Sequence, residues 1–264
     1  MNWEEAVQWL KNQKDKQELV KACFYDDPLI DAAKRYYEST EWKELRKYLP
    51  EKKGKVLDVG AGRGISSYAF AKDGWDITAL EPDPSSIVGA GAIKELAKES
   101  DLKIEIVENW GEKLPFDDES FDIVYMRQAL HHSKNLTEFC QEAGRVLRSG
   151  GVFIATREHV VSKKEDLETF LKNHPLHKFY GGENAFLLGE YERAIEDGGM
   201  KIERVLKPFE SDINLFPYSM SSLKIKILKY LEMIYEHVPI IFLFSLKNIF
   251  ERPGRIYSFI AKKI

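Results

Sequence analysis

The chain has 264 residues, enough for one large α/β domain with appendages or at most two small domains. Its formal net charge of −4 provides no basic field that would indicate nucleic acid as a partner. Hydrophobic residues make up 44% and charged residues 31%, as in ordinary globular proteins. Two well-separated cysteines, Cys23 and Cys140, and a polar N-terminus favour a reducing, cytoplasmic location.

Residues 1–50 are predicted to form an N-terminal helical cap, because apolar side chains recur there at helical spacing. Strand-like and helix-like segments then alternate through residues 51–210. This alternation predicts an α/β fold with a doubly wound, mostly parallel sheet that binds ligands at the carboxyl ends of its strands. The predicted strands are 55–59, 76–80, 103–107, 121–126, 152–156 and 201–207, and the predicted helices are 65–72, 84–99, 135–148 and 188–196.

The pattern changes in the second half of the chain. Residues 157–187 show few strand signals and are predicted to form a substrate loop. Within it, residues 173–184 either cover a pocket or form an ordinary surface loop. Residues 211–253 are predicted to be a helical insertion. The final core strand is predicted at residues 255–263, within the last segment, 254–264. The amphipathic face of this insertion carries Leu223, Ile227, Leu231 and Ile234.

The C-terminal region is basic. Residues 219–264 contain eight Lys/Arg against three Asp/Glu. This excess is compatible with peripheral contact to an anionic membrane surface and also with an ordinary solvated helix face. No apolar run approaches the ~20 residues that a membrane-spanning helix requires.

Three glycines, Gly60, Gly62 and Gly64, follow the first strand, where bare backbone can approach a ligand closely. The carboxylate of Asp58 suits a cationic ligand and would be a poor neighbour for a pyrophosphate. A dinucleotide fingerprint would place its third glycine at Ile65, so the spacing argues against a nicotinamide or flavin dinucleotide oxidoreductase. At the end of the second strand, a carboxylate at Glu81 can accept hydrogen bonds from both hydroxyls of a ribose.

Several ordered motifs between residues 55 and 157 resemble class I S-adenosylmethionine (SAM)-dependent methyltransferases of the small-molecule type. They are Val56–Gly64, Glu81, Leu114–Val124, Ala129–His132 and Arg145–Gly151. The resemblance implies a seven-stranded sheet with an antiparallel last strand and SAM as the cofactor. The predicted cofactor-binding residues are Asp58, Gly60, Ala61, Gly62, Gly64, Glu81, Pro82, Gly111, Glu112 and Arg127.

The resemblance places Gly60, Gly62 and the backbone of Arg127 near the methionine part of SAM, and Gly111 and Glu112 beside the adenine. The chain departs from the family pattern at Trp110, where many relatives carry an acidic residue that reads the adenine amino group. Trp110 either stacks on the adenine or packs against the protein, and adenine recognition then depends on the two residues that follow it.

The candidate general bases are His131, His132, Glu158 and His159. Packing and hydrogen bonding at a helix start would explain the paired histidines equally well. No third ligand stands at a useful spacing from them, so no metal site is predicted. The aromatic segments 24–27 and 35–37 could form a lid over SAM, with cation–π contacts to its sulfonium. Helix packing alone would also explain these aromatic residues.

These patterns predict a methyltransferase that acts on an unidentified small-molecule or glycan acceptor. A non-catalytic SAM-binding or scaffold protein would share the same motifs and is the alternative. Residues 173–184 and 252–255 are similar to bacterial methyltransferases associated with surface polysaccharide synthesis, which implies a sugar or lipid-linked acceptor. The sequence leaves the oligomeric state open.

Overall fold

The computed structural model describes residues 1–222 and 254–264, which build one sheet with helices packed on both faces. Eight strands pair in the order β3-β2-β1-β4-β5-β8-β7, with β6 beside β5. The strands are β1 Lys55–Val59, β2 Asp76–Leu80, β3 Glu105–Val107, β4 Phe121–Arg127, β5 Leu147–Val161, β6 Phe186–Leu187, β7 Met200–Leu206 and β8 Arg255–Lys263.

Among the described strands, all pairs are parallel except the two that involve β8, which runs antiparallel between β5 and β7. The predicted doubly wound, mostly parallel sheet with an antiparallel last strand is therefore confirmed. The strand order reverses at β1, which pairs with β2 on one side and β4 on the other. Sheets of this type bind ligands at the carboxyl ends of the strands beside such a reversal.

Strand β5 is longer than the sequence predicts. We expected it to end at Thr156, with Glu158 and His159 in a following loop, but it continues to Val161. The extension pairs with β8, which begins far away in the chain, and with the two-residue strand β6. Local sequence patterns do not reveal such distant pairing. The sequence predicted seven strands, and β6 is the additional one.

The helices form a layer on each face of the sheet. Successive residues of β4 point to opposite layers. Val124 and Met126 join the core with α7 and α10, while Ile123 and Tyr125 join the core with α3, α4 and α5. The α-helices are α1 Trp3–Lys11, α2 Gln17–Ala22, α3 Leu29–Glu38, α4 Thr40–Leu45, α5 Ile65–Lys72, α6 Ala90–Ser100, α7 Leu136–Val146, α8 Asp166–Asn173, α9 His177–Tyr180, α10 Leu188–Asp197 and α11 Asp212–Leu215.

The N-terminal residues are helical, as predicted, and are tied to the glycine turn through Arg63. The buried guanidinium donates hydrogen bonds to the carbonyl oxygens of Phe24 at 3.0 Å and Asp26 at 3.1 Å. It also pairs with Asp27 at 2.6 Å. These contacts hold the connection between α2 and α3 against the turn after β1. The division of the chain into a cap and a core stays a prediction.

Most of the predicted helical insertion, including its four apolar face positions and most of the basic region, lies within residues 223–253, outside the described residues. Within residues 1–222 and 254–264, no helix combines the length and apolar character required to cross a bilayer.

Candidate functional site

The glycine turn after β1 bends through three positions with positive φ angles, +69° at Gly60, +54° at Gly62 and +79° at Gly64. A Cβ atom at Gly60 would lie 2.8 Å from the Cβ atom of Ala129, so glycine allows the segment after β4 to pack against the turn. A Cβ atom at Gly62 would meet nothing closer than the Val88 carbonyl oxygen at 3.9 Å. Gly62 therefore presents bare backbone beside open space, as a closely bound ligand requires.

Asp58 is a buried carboxylate at the start of this turn, with 1% of its surface exposed. Its Oδ2 atom accepts hydrogen bonds from the hydroxyls of Ser66 and Ser67, each at 2.6 Å. Its Oδ1 atom has no hydrogen-bond partner among the described residues. Burial raises the pKa of Asp58 to about 6, despite the opposing serine hydrogen bonds. A buried carboxylate oxygen without a donor fits a cationic ligand such as SAM.

Glu81, at the carboxyl end of β2, is also buried. Its carboxylate accepts hydrogen bonds from the backbone N–H groups of Gly62 at 2.7 Å and Asp83 at 3.0 Å. Burial raises the pKa of Glu81 to about 7. Each oxygen keeps a second lone pair, so the carboxylate can still accept from sugar hydroxyls. The half-buried Pro82 and the buried Ala61 lie next to these contacts in the chain.

The segment predicted to bind adenine follows β3. Gly111 is buried, and a Cβ atom there would lie 2.4 Å from the ring of Phe139, so glycine is required by packing. Trp110 is 65% exposed, with the Lys134 ammonium 5.7 Å from its ring centroid. The indole therefore does not pack in the core, and stacking on adenine stays a prediction. Glu112 is half-buried beside Gly111.

Arg127 ends β4, but its side chain turns toward the N-terminal helices. The guanidinium donates to the two carboxylate oxygens of Glu41 on α4, at 2.7 Å and 3.0 Å. The pair is almost completely removed from solvent, and the Glu41 carboxylate raises the pKa of Arg127 against the opposing effect of burial. Only the backbone of Arg127 stays available for its predicted place near the cofactor. Sequence analysis did not single out Glu41, which lies in the short helix α4 together with the half-buried Glu44.

Glu158 organises the segment after β4. One carboxylate oxygen accepts from the backbone N–H groups of Ala129 and Leu130, at 3.2 Å and 3.3 Å. The other accepts from the N–H and the Nδ1 of His131, at 2.9 Å and 2.6 Å. With four donors converging on it, this carboxylate is poorly placed to take a proton from a substrate. Glu158 therefore positions the segment after β4 in this structure, and its role as a general base stays a prediction.

His131 lies between two carboxylates, because its Nε2 atom also approaches Glu183 at 3.3 Å. Burial alone would lower the pKa of His131, but Glu158 and Glu183 outweigh it and raise the pKa to about 9. The imidazole is fully buried and carries a proton at neutral pH in this arrangement, so it is not a free base. Glu183 comes from the predicted covering loop, and no local sequence pattern indicates its contact with His131.

The remaining histidines gather around this pair. Burial and the charge of His131 lower the pKa of His159 to about 3. The rings of His131 and His159 lie 4.7 Å apart, and the ring of His132 lies 4.2 Å from that of His131. His132 contacts the Gly182 carbonyl through Nδ1 at 2.8 Å. Three of the four candidate bases are thus imidazoles that meet at one end of β4 and β5.

The aromatic segments predicted to form a lid pack into the core. Phe24 is 1% exposed and stacks on Phe216 with ring centroids 4.7 Å apart, while Tyr36 is fully buried. Helix packing therefore explains these two rings. The covering loop does contact the N-terminal segment, since the rings of Trp3 and Tyr180 lie 4.5 Å apart.

Residues 57–155 match a family model described as a methyltransferase domain. The chain is 37% identical over 105 residues to a sarcosine/dimethylglycine N-methyltransferase of Aphanothece halophytica, covering 39% of this chain and 37% of that protein. It is 31% identical over 128 residues to the uncharacterized methyltransferase YcgJ of Bacillus subtilis, covering 46% of each chain. The chain thus spans less than half the length of these curated relatives.

Solved structures share the fold. The YcgJ structure has a TM-score of 0.57 at 18% identity, covering 84% of this chain and 96% of that one. Geranyl diphosphate C-methyltransferase from Streptomyces coelicolor has a TM-score of 0.61 at 14% identity, covering 96% and 85% of the two chains. Together, the family match, the strand order and the glycine turn identify residues 57–155 as a methyltransferase domain within a class I SAM-dependent methyltransferase fold.

Proposed function

We propose that this protein transfers the methyl group of SAM to a small-molecule acceptor at the carboxyl edge of the sheet. The observation that carries the proposal is that two buried carboxylates, Asp58 and Glu81, flank a glycine turn, with Glu81 accepting from the N–H of Gly62. When bound, SAM supplies a methyl group that its sulfonium already activates. The protein then has to hold the cofactor, align a nucleophile and exclude water.

The residues present can divide this work between them. The unpartnered Oδ1 atom of Asp58 offers a negative charge to the cationic part of the cofactor. Glu81 is placed to accept from the ribose hydroxyls, and the bare backbone of Gly62 leaves room for the ligand. The segment that carries His131 packs on Gly60 through Ala129, so the imidazoles stand next to the cofactor turn. They form the polar wall of the proposed acceptor site.

The acceptor itself is proposed only by chemical class. The relatives named above are called methyltransferases of an amino acid and of an isoprenoid diphosphate, so the shared fold does not select one acceptor. The sugar or lipid-linked acceptor expected from the sequence stays a prediction, as does membrane contact through the basic region. Buried histidine and glutamate side chains favour an acceptor with a polar group near the reacting atom.

Calorimetry with SAM and with its demethylated product tests the proposal, and we expect both to bind one site. Incubation with sarcosine, geranyl diphosphate and a set of sugar acceptors, followed by mass spectrometry, then tests for a transferred methyl group. Absence of binding at about 1 mM SAM would reject the assignment, since that limit corresponds to only ~4 kcal/mol of binding free energy. Tight SAM binding without transfer to any acceptor would favour the non-catalytic alternative.

We expect SAM affinity to depend on pH through Glu81. The ionised carboxylate accepts two hydroxyl donors, whereas the protonated acid loses its charge and part of its acceptor capacity. Because the pKa of Glu81 is about 7, affinity should be constant at higher pH and fall as pH drops through neutrality. Roughly tenfold weaker binding is expected at about pH 6 than at about pH 8, measured by calorimetry.

The variant Glu81→Gln is the control for this titration. It should bind SAM more weakly and lose the dependence near pH 7. The dependence that remains should appear at lower pH, where Asp58 titrates with a pKa of about 6. A wild-type affinity that stays constant between about pH 8 and about pH 6 would contradict the role given to Glu81.

A further inference from the structure

Three side chains that are distant in sequence bring possible metal ligands together beside the proposed acceptor site. The ligand atoms of His131, His159 and Glu183 all lie within 4.8 Å of one another. The Nε2 atom of His131 and the Oε2 atom of Glu183 are 3.3 Å apart. Two ligands at ~2.1 Å from a tetrahedral zinc ion would themselves be about 3.4 Å apart. We call these three residues the His–Glu cluster.

Each member of the cluster has an outer partner that orients it. The Nδ1 atom of His131 is bonded to Glu158 at 2.6 Å, and the Nδ1 atom of His159 contacts the Gly254 carbonyl oxygen at 3.3 Å. When Nδ1–H donates a hydrogen bond to such an acceptor, Nε2 is left free to bind a metal ion. Carboxylates and backbone carbonyls are the usual outer partners of metal-binding histidines. The hydroxyl of Tyr180 donates to the other oxygen of Glu183.

The charge of the site also favours a cation. Two carboxylates, Glu158 and Glu183, flank His131 within a nearly solvent-free space. A protonated His131 compensates only one of these two negative charges, and uncompensated buried charge is unfavourable. A divalent ion that replaced the proton on Nε2 would neutralise the remaining charge. Within the part of the chain that the structure describes, no lysine or arginine forms an ion pair with Glu158 or Glu183.

We propose that the His–Glu cluster binds a divalent transition-metal ion through His131, His159 and Glu183. His174 is the candidate for a further ligand, because its Nε2 atom lies 3.8 Å from the Glu183 carboxylate. Two imidazoles and one carboxylate select borderline ions such as Zn²⁺, Fe²⁺ or Co²⁺ over Mg²⁺ or Ca²⁺, which prefer oxygen ligands. Three protein ligands leave open coordination positions, as in catalytic rather than structural sites.

The test titrates tag-free, chelator-treated protein with Co²⁺ and Zn²⁺, using calorimetry and the visible d–d absorption of Co²⁺. We expect one equivalent of either metal to bind and to raise the melting temperature, because a ligand of the native state stabilises it. Binding of Mg²⁺ should be at least about 100-fold weaker. No binding of Co²⁺ or Zn²⁺ by the wild type would overturn the proposal, whatever the result with SAM.

Variants locate the site. We expect His159→Asn and Glu183→Gln each to weaken Co²⁺ binding by about 100-fold, while the matched loop variant His177→Asn leaves it unchanged. Circular dichroism of each variant checks that it is folded. If both cluster variants bind Co²⁺ as the wild type does, the metal lies elsewhere and the inference is wrong. A strong thiolate-to-cobalt charge-transfer band would likewise contradict it, because the proposed ligands include no cysteine.

Discussion

Replacing Arg127 with methionine is expected to lower the free energy of unfolding by about 3–5 kcal/mol. The substitution removes the partner of Glu41, which is 1% exposed and would be left as a buried, unpaired charge. The guanidinium also lies over the rings of Phe24 and Tyr36, with its carbon 5.3 Å and 5.4 Å from their centroids. Methionine retains much of the apolar volume of arginine, so the loss of stability should come mainly from the unpaired Glu41 carboxylate. Urea unfolding followed by circular dichroism measures it.

The double variant Glu41→Leu/Arg127→Met separates the charge from the packing. Replacing both members of a buried ion pair with apolar side chains is often neutral or stabilising. We therefore expect the double variant to be more stable than Arg127→Met alone, with a clear non-additive term in the double-mutant cycle. If the double variant is instead destabilised by the sum of the two single changes, the pair contributes no coupling. The unpaired Glu41 carboxylate would then not explain the lower stability of Arg127→Met.

The Arg127–Glu41 ion pair is a contact that could not be predicted from the sequence alone. The strands around the glycine turn were predicted within a residue or two, because alternating apolar runs and glycines are local signals. The final strand was predicted with the bounds that it has in the structure. In contrast, Arg127 meets Glu41, and His131 meets Glu183, only after distant segments of the chain pack together. No local periodicity encodes these contacts.

Two further sequence expectations show the same dependence on local signals. The helix predicted from Pro84 begins only at Ala90, because the chain first folds back so that the Ala90 N–H donates to the Asp83 carbonyl at 2.7 Å. No metal site was predicted from spacing along the sequence, and that expectation is untested, but His131, His159 and Glu183 come together only in the folded chain. The extension of β5 depends on pairing with β8, which enters the sheet from the end of the chain. Spacing along the sequence therefore does not show which side chains meet at this edge of the sheet.

The second large effect is expected at the glycine turn, where Gly62→Val should weaken SAM binding by at least about 100-fold. The added Cβ atom clashes with no protein atom, since its nearest neighbour is the Val88 carbonyl oxygen at 3.9 Å. It would instead fill the space that the cofactor is proposed to occupy. Calorimetry with SAM provides the measurement, and a thermal melt reports any separate loss of stability.

Gly74→Val is the matched control for this variant. Gly74 also has a positive φ angle, +84°, and has no heavy atom within 4 Å of its Cβ position, but it lies beyond the far end of α5. Both variants carry the backbone strain of a branched residue in the left-handed region, on the order of 1–3 kcal/mol. Only Gly62→Val should also obstruct the ligand, so Gly74→Val should bind SAM as the wild type does. Equal losses of affinity in the two variants would assign the effect to strain, and unchanged binding by Gly62→Val would place the cofactor away from this turn.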